Sequence, residues 1–264
     1  MPLLRIVFRT LFWTVNQLYV YLRILIIVNK KHNLKMRMIK GMIMTVAVAW
    51  AALCPAQKND WAGLGLYAGS NKEVKALPAA DRRVVFFGNS ITHAWNGADP
   101  DFFKTHKYIP RGFSGQTSYQ FLVRLRPDVI ELGPEYVVLG APINDIAENT
   151  YPYDEDATVG NYSLMVDMLQ CAKIKPILTS VLPTDTIPWR KNFPRVTAKV
   201  ASLNKRLKAL AKKKHCLYVD YTKALSAPDG SFVREYNKDD VHPTLAGYKV
   251  MEDVIQKSLV KLLK

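Results

Sequence analysis

The stretch RRVVFFGNSIT, Arg82–Thr92, combines a short apolar run that ends in glycine with a serine that follows almost at once. Four consecutive apolar residues between charged residues and glycine are typical of a strand that is buried on both faces. Ser90 then lies at the end of that strand and at the start of the next element. Its hydroxyl is expected to be exposed, near backbone N–H groups that favour a developing negative charge. The same position also suits a helix N-cap, which is the stronger interpretation when the stretch is taken alone.

Further buried strands and amphipathic helices alternate beyond this stretch. The strands are predicted at residues 82–88, 135–140, 175–182 and 216–221, and the helices at 117–125, 161–172, 196–213 and 245–263. Such alternation predicts βαβ units and one three-layer α/β domain with a parallel sheet, over residues 58–264. Ligands of these sheets bind beyond the carboxyl ends of the strands. The loops after Gly88, Gly140, Leu182 and Tyr221 are therefore expected to carry the chemistry.

A histidine near the C-terminus is the candidate base. It occurs in Asp239-Asp240-Val241-His242-Pro243, where a turn can bring the Asp239 carboxylate to the ring Nδ1 of His242. The Nε2 atom would then be free to take a proton from a serine. The alternative is a surface histidine with Asp240 as a cap. The segment alone supports both interpretations equally.

Two loop residues are candidate donors to an oxyanion. Asn144 follows the predicted strand 135–140, and Gly115 stands just before a predicted helix, where its N–H is unobstructed. Each alone is weak, because Asn and Gly in loops are usually turn residues. Together with Ser90, His242 and Asp239 they supply a nucleophile, a base, an orienting acid and two donors. Those are the roles that acyl transfer requires.

The blocks that carry these residues resemble those of the SGNH or GDSL-like esterases and lipases. GNSIT is close to the family's GDSIT, with Asn89 in place of an acid, and DDVHP is close to DxVHP; SGQTS supplies the glycine block. RGFSGQTS, NDIAENT and SVLPTDTIPWR are most similar to the bacterial envelope-associated acylhydrolases of this family. The one departure is the third block, usually G-x-N-D. Here Gly140 precedes Asn144 by four residues, and Asn144 is retained because Asp145 follows it as expected.

The resemblance implies a role for each of these residues. Ser90 would be the nucleophile, His242 the base and Asp239 the residue that orients it. The N–H groups of Ser90 and Gly115 and the side chain of Asn144 would hold the oxyanion. The implied fold is a flavodoxin-like three-layer α/β/α sandwich, and no metal or cofactor is implied.

The implied activity is hydrolysis of small acyl esters, above all O-acetyl groups on carbohydrate. The alternatives are a lysophospholipase or thioesterase that acts on lipid-like acyl esters, and a non-catalytic carbohydrate-binding protein of the same fold. Trp95, Trp189 and Arg190 follow the active loops and are candidate substrate-binding residues. Both tryptophans suit the core equally well. The expected partner is a small-molecule or glycan ester.

Charge does not indicate a nucleic-acid partner. The chain has 264 residues and a formal net charge of +15, but residues 1–57 contribute eight Lys or Arg and no Asp or Glu. The rest of the excess is concentrated on the predicted helix 196–213, whose leucines recur at helical spacing and place the lysines outward. No aromatic interleaving or recognition motif accompanies them, so a solvated face is favoured. The three cysteines have no metal-binding spacing.

Residues 1–57 are predicted to be a targeting region. A basic segment at 36–40, an apolar run from Gly41 to Leu53 and small residues around Ala56 are typical of a secretory signal peptide over about residues 36–56. Residues 1–35 are then an over-extended gene start or an N-terminal anchor. The expected location is secreted or periplasmic, in the cell envelope. Any membrane contact would be transient and limited to this N-terminal segment.

Overall fold

The computed structural model describes residues 17–19 and 60–264, and the unit that runs from Asp60 to Lys264 is compact. Apart from the short helical stretch 17–19, the predictions for the targeting region lie outside the described residues. Among the helices that the structure describes, none is both long enough and apolar enough to cross a membrane.

Five strands form one sheet in which every neighbouring pair is parallel. They are β1 (Val84–Gly88), β2 (Tyr108–Gly112), β3 (Tyr136–Leu139), β4 (Lys175–Thr179) and β5 (Leu217–Val219), in the order β2-β1-β3-β4-β5. This order is that of the flavodoxin-like sheets. The predicted parallel α/β sheet is confirmed.

The helices between and after the strands are α1 (Ala68–Ala76), α2 (Ser90–Ala98), α3 (Pro100–His106), α4 (Ser118–Asp128), α5 (Ile143–Ile146), α6 (Glu155–Cys171), α7 (Val196–Lys213), α8 (Thr222–Leu225) and α9 (Leu245–Leu262). The four helices that the sequence predicts correspond to α4, α6, α7 and α9. The sequence pattern predicts no bounds for helices α1, α2, α3, α5 and α8 or for strand β2.

Strand β1 is the centre of the core, and its side chains alternate between two hydrophobic clusters. Val85 and Phe87 pack on the face covered by α4, α6 and α7. Val84 and Phe86 pack on the opposite face with residues of α2, α3 and α9. Because both faces are covered, all four side chains are nearly inaccessible to solvent. The predicted three-layer arrangement is thereby confirmed.

The strand order fixes where a site can form. The chain leaves β1 for β2 on one side and then crosses to β3 on the other, which makes a crevice at the carboxyl ends of β1 and β3. Gly112, at the end of β2, lies directly against α2. A Cβ there would lie 2.1 Å from the His93 backbone nitrogen. The missing side chain therefore lets α2 approach β2 closely, and α2 begins at Ser90.

Candidate active site

Ser90 is the first residue of α2, but it is not the N-cap that the stretch alone favoured. Asn89 is the N-cap, and its side-chain oxygen accepts the Ile91 N–H at 3.1 Å. The cap interpretation of Ser90 is therefore wrong. Because Asn89 satisfies the helix end, the Ser90 hydroxyl is available for another partner.

Asn89 also joins two of the loops at this edge of the sheet. Its amide Nδ2 donates to the Ala141 carbonyl at 3.0 Å, and the side chain is buried. An ionised aspartate, the acid usual at this place in GDSIT, has no donor for that bond. The Asn89 that departs from the common block thus joins the start of α2 to the loop after β3.

The Ser90 hydroxyl lies 2.8 Å from Nε2 of His242, although 152 positions separate the two residues along the chain. The ring Nδ1 of His242 lies 2.9 Å from Oδ2 and 3.0 Å from Oδ1 of Asp239. Since an ionised carboxylate only accepts hydrogen bonds, Nδ1 carries the proton and Nε2 can accept the serine proton. The structure brings Ser90, His242 and Asp239 into one continuous hydrogen-bonded chain.

The carboxylate of Asp239 is held in its ionised form. Partial burial tends to raise its pKa, but hydrogen bonds from the backbone and ring of His242 and from the Val241 N–H bring that pKa below its usual value. The His242 N–H donates to Oδ1 at 2.8 Å and the Val241 N–H donates to the same oxygen at 3.2 Å. These bonds hold the carboxylate in position and also favour its ionised form.

Asp240, the acid between Asp239 and Val241, has partners other than His242. Its Oδ2 accepts the Thr186 hydroxyl at 2.6 Å, and its Oδ1 accepts the Asn237 amide at 3.1 Å. The φ of Asp240 is +70°, which turns the chain between Asp239 and His242. Asp240 therefore attaches the histidine loop to the loop that contains Thr186.

Gly115 lies on the loop after β2 in the left-handed region, with φ of +80°. Apart from Gly115 itself and its two neighbours in the chain, no described residue has an atom within 4 Å of the point where its Cβ would stand. The backbone conformation, rather than lack of space, therefore calls for glycine here. Within the described chain no residue accepts the Gly115 N–H, so it remains available to a ligand.

Asn144 lies in α5 and is 1% exposed. Its amide donates one hydrogen to the Gln116 carbonyl at 2.9 Å, on the loop that contains Gly115. An asparagine amide has two hydrogens, and the oxyanion role requires the second. The structure thus brings the loops after β2 and β3 together, as the site prediction requires.

Packing requires a glycine at position 140, four residues before Asn144. Gly140 follows the end of β3, where a Cβ would lie 3.1 Å from the Thr92 hydroxyl oxygen and 3.3 Å from the Gly88 Cα. It is therefore needed for the close approach of β1, α2 and β3. The chain then passes through Ala141 and Pro142 before α5 presents Asn144.

Asp145 is a residue of the site that sequence reasoning noted only as a marker for Asn144. It is 5% exposed and accepts the Ser118 N–H at 2.8 Å, the Ser118 hydroxyl, and the Thr158 hydroxyl at 3.3 Å. Burial raises the pKa of Asp145 to about 6. Ser118 begins α4, so Asp145 attaches the start of that helix to the loop that carries Asn144.

Trp95 lies in the core, so its prediction as a substrate-binding residue is corrected. It is 2% exposed, its ring stacks on Phe102 and Tyr248 with 5.4 Å between centroids in each pair, and its Nε1 donates to Glu252 at 3.0 Å. Trp95 stands on the α2 face that packs against α3 and α9. A residue close to Ser90 along the chain can therefore point away from the site.

Trp189 and Arg190 lie on the loop between β4 and α7. Trp189 is 43% exposed, and its ring centroid is 6.3 Å from that of His242. Its Nε1 donates to Oδ1 of Asn149 at 2.9 Å. The Arg190 guanidinium instead donates to the Ala147 carbonyl at 2.9 Å and to Glu148 at 3.2 Å. Trp189 forms a wall beside His242, whereas Arg190 holds the loop in place.

In chemical terms the site contains a serine nucleophile with a base in contact and an ionised carboxylate behind that base. These are the groups needed to form and hydrolyse an acyl-serine intermediate. Across the residues that the structure describes, no group of three or more His, Cys, Asp and Glu side chains is arranged to hold a metal ion.

The comparisons with known proteins give one consistent family. The model of the GDSL-like lipase/acylhydrolase family matches residues 86–250. A GDSL-like lipase from Bacteroides thetaiotaomicron is 45% identical, with a TM-score of 0.74 over 77% of this chain and 100% of its own. An acylhydrolase candidate from Bacteroides fragilis is 48% identical, with a TM-score of 0.75 over 78% of this chain and 100% of its own.

More distant structures share the fold. An acetylxylan esterase from Geobacillus stearothermophilus is 16% identical, with a TM-score of 0.56 over 69% of this chain and 94% of its own. The chain has no match among the curated proteins.

Proposed function

The chain belongs to the GDSL-like lipase/acylhydrolase family and is a hydrolytic esterase, and on that premise we propose that it removes small acyl groups, above all O-acetyl groups of carbohydrate. The observation that carries the proposed mechanism is the unbroken chain of hydrogen bonds from the Ser90 hydroxyl through His242 to Asp239. A non-catalytic binding protein has no need of that chain.

The first half of the reaction forms an acyl-enzyme. The Ser90 Oγ attacks the ester carbonyl carbon while Nε2 of His242 takes the hydroxyl proton. The carbonyl oxygen becomes an oxyanion, held by the N–H groups of Ser90 and Gly115 and by the Asn144 amide. The bond to the alcohol oxygen then breaks, and that oxygen takes the proton from His242 as the alcohol leaves.

The second half hydrolyses the acyl-enzyme. Water attacks the acyl carbon while His242 takes one of its protons, and the same donors hold the oxyanion. The bond to Ser90 Oγ breaks, and His242 returns the proton to that oxygen. Asp239 stabilises the imidazolium in both halves without taking the proton itself.

Two observations support an O-acetyl group on carbohydrate as the substrate. Structures with the same fold include acetylxylan esterases, among them the Geobacillus stearothermophilus enzyme. In addition, Trp189 presents an exposed ring beside His242. The flat, apolar face of an aromatic ring is suited to the C–H face of a sugar.

Hydrolysis of 4-nitrophenyl acetate, butyrate and octanoate by residues 58–264 tests this function. We expect activity that falls with acyl length and is reduced at least about 1,000-fold in Ser90→Ala, since the nucleophile is lost. A preference for octanoate would favour the lipid-like substrates instead. Equal hydrolysis by the wild type and Ser90→Ala, or none by either, would contradict a serine esterase.

We also propose that the protein is exported and acts on its substrate in the periplasm or outside the cell. The support is the sequence of the N-terminal region, with its basic segment, apolar run and small residues before Gln57. N-terminal sequencing of protein recovered from the cell envelope should find a chain that begins near Gln57. A chain that retains Met1 would contradict this proposal.

A further inference from the structure

Asn149 contacts three features of the candidate site at once. Its amide Nδ2 donates to the Gly115 carbonyl at 3.1 Å, and its Oδ1 accepts the Trp189 indole N–H at 2.9 Å. Its own backbone N–H donates to the Asn144 carbonyl at 3.1 Å. The side-chain partners lie 34 residues earlier and 40 residues later in the chain. An ordinary turn asparagine bonds within its own turn, so these contacts call for a different explanation.

The first contact bears on the oxyanion donor. Gly115 is exposed and has no side chain to pack, so its position depends on the backbone on either side. The Asn149 amide donates to the Gly115 carbonyl, and the Asn144 amide donates to the carbonyl of the next residue, Gln116. With its carbonyl fixed, Gly115 keeps the conformation that leaves its N–H free to donate. Small displacements of such a donor lower the reaction rate.

The second contact bears on the alcohol side of the substrate. His242 gives its proton to the leaving alcohol, so a ring 6.3 Å from His242 borders the alcohol rather than the acyl group. Because Asn149 accepts the indole N–H, the Trp189 ring is held at one tilt, 39° from the plane of His242. An exposed ring without such a bond would sample several rotamers.

We propose that Asn149 is a positioning residue that joins the Trp189 wall on the alcohol side to the Gly115 donor of the oxyanion hole. The same amide fixes the positions of both groups, because its nitrogen donates to the Gly115 carbonyl and its oxygen accepts the Trp189 indole N–H. This inference rests on the proposed function, since it assigns a role within that reaction. Seating the alcohol against Trp189 and holding the oxyanion thereby become linked requirements for fast turnover.

Three variants separate the two contacts. Asn149→Asp keeps an oxygen for the indole but cannot donate to the Gly115 carbonyl, which its charge also repels. Trp189→Phe keeps an aromatic face but removes the indole N–H. Asn149→Ala removes both contacts. Lys191→Ala, an exposed residue of the same loop as Trp189, is the control.

The kinetic test measures kcat and KM on phenyl acetate and on xylopyranose tetraacetate. Asn149→Asp should lower kcat about 10-fold on both substrates, less than the loss of a whole oxyanion donor, and leave KM for the sugar ester within about 2-fold. Trp189→Phe should mainly raise KM for the sugar ester. In the double variant Asn149→Ala/Trp189→Phe the two effects should be less than additive, because the single changes break one shared bond. Wild-type kcat in Asn149→Asp would overturn the inference.

A spectroscopic measurement tests the contact without activity. The ¹⁵N–¹H indole resonance of Trp189 should shift in Asn149→Ala and stay near its wild-type position in Lys191→Ala. An unshifted resonance in Asn149→Ala would overturn the inference. Failure of the proposed function differs from failure of the positioning role. If the proposed function fails, the wild type hydrolyses neither ester and a fluorophosphonate does not label Ser90. If the wild type is active and Asn149→Asp has the same kcat, only the positioning role is refuted.

Discussion

At the scale of single residues, the adjacent carboxylates Asp239 and Asp240 have separate partners and should respond differently to mutation. Asp239→Asn keeps the shape but loses the charge that orients and stabilises His242, and activity should fall by about 100- to 10,000-fold. Asp240→Asn weakens only the contacts with Thr186 and Asn237 and should cost less than about 10-fold. The rate of 4-nitrophenyl acetate hydrolysis is measured for both variants. A larger loss in Asp240→Asn would overturn the assignment.

Asp145 predicts a pH dependence of stability. Its pKa of about 6 in the folded state is above that of an unfolded aspartate, so folding favours the protonated form. The stability that this preference contributes is complete below about pH 4 and is lost as the pH rises through about 6. Asp145→Asn does not titrate. The free energy of unfolding of the wild type minus that of Asp145→Asn should therefore decrease between pH 4 and pH 7.

Urea denaturation of both proteins at several pH values measures this difference. The other carboxylates are common to the two chains, so their titration cancels as long as Asp145 titrates independently. A difference that is constant or rises with pH would show that Asp145 is not held with a raised pKa.

The sequence predicted residues whose chemistry is local better than residues whose role depends on distant contacts. The Asp239 to His242 spacing places a carboxylate on the ring within one turn. By contrast, nothing local distinguishes Trp95, which enters the core, from Trp189, which lies beside His242. Asn149 could not be found from spacing either, because its side-chain partners come from two other loops.

At the scale of elements, the segment before β1 contacts the end of β2 and the loop after it, which contains Gly115. The Ala62 carbonyl accepts the Gln116 side chain at 2.6 Å, and the Tyr67 hydroxyl donates to the Gly112 carbonyl at 2.5 Å. Asn71, on α1, accepts Nε of Arg111 at 2.8 Å and donates to Asp128 at 2.7 Å. Ala62, Tyr67 and Asn71 precede the region that the family model matches, which begins at residue 86.

Asn71→Ala should therefore destabilise the protein. It removes one hydrogen-bond partner from each of two buried charged side chains, Arg111 and Asp128, and should lower the free energy of unfolding by about 2–4 kcal/mol. Lys72→Ala, the exposed neighbour on the same helix, is the matched control and should change it by less than about 0.5 kcal/mol. Urea denaturation distinguishes the two. Equal effects of the two changes would contradict the role of this network.

Strand β2 and the end of β4 show where patterns of apolar residues mislead. The β2 segment YIPRG contains Pro110 and Arg111, which hide it from a search for apolar runs, yet β2 is an edge strand where proline is tolerated. The apolar run predicted as a strand to Leu182 continues past β4, which ends at Thr179. There both backbone groups of Val181 pair with the Asn204 side chain instead of a neighbouring strand.

At the scale of the whole molecule, the alternation of strands and helices predicted a parallel, three-layer fold, and the structure confirms it. The pattern alone could not give the strand order, because the predicted strands are similar apolar runs and β2 was not among them. The order β2-β1-β3-β4-β5 is what places the loops after β1, β2 and β3 at one crevice. The resemblance of short blocks to a known family implied a flavodoxin-like sandwich, a fold whose sheets have this order.

Covalent labelling with a fluorophosphonate is the most direct test that Ser90 is the nucleophile of this fold. One phosphonyl group per chain should attach, and mass spectrometry of the digested protein should place it on Ser90. Labelling should be absent in Ser90→Ala and much slower in His242→Ala, because the base no longer takes the hydroxyl proton. A label on another residue, or undiminished labelling of Ser90→Ala, would contradict the account.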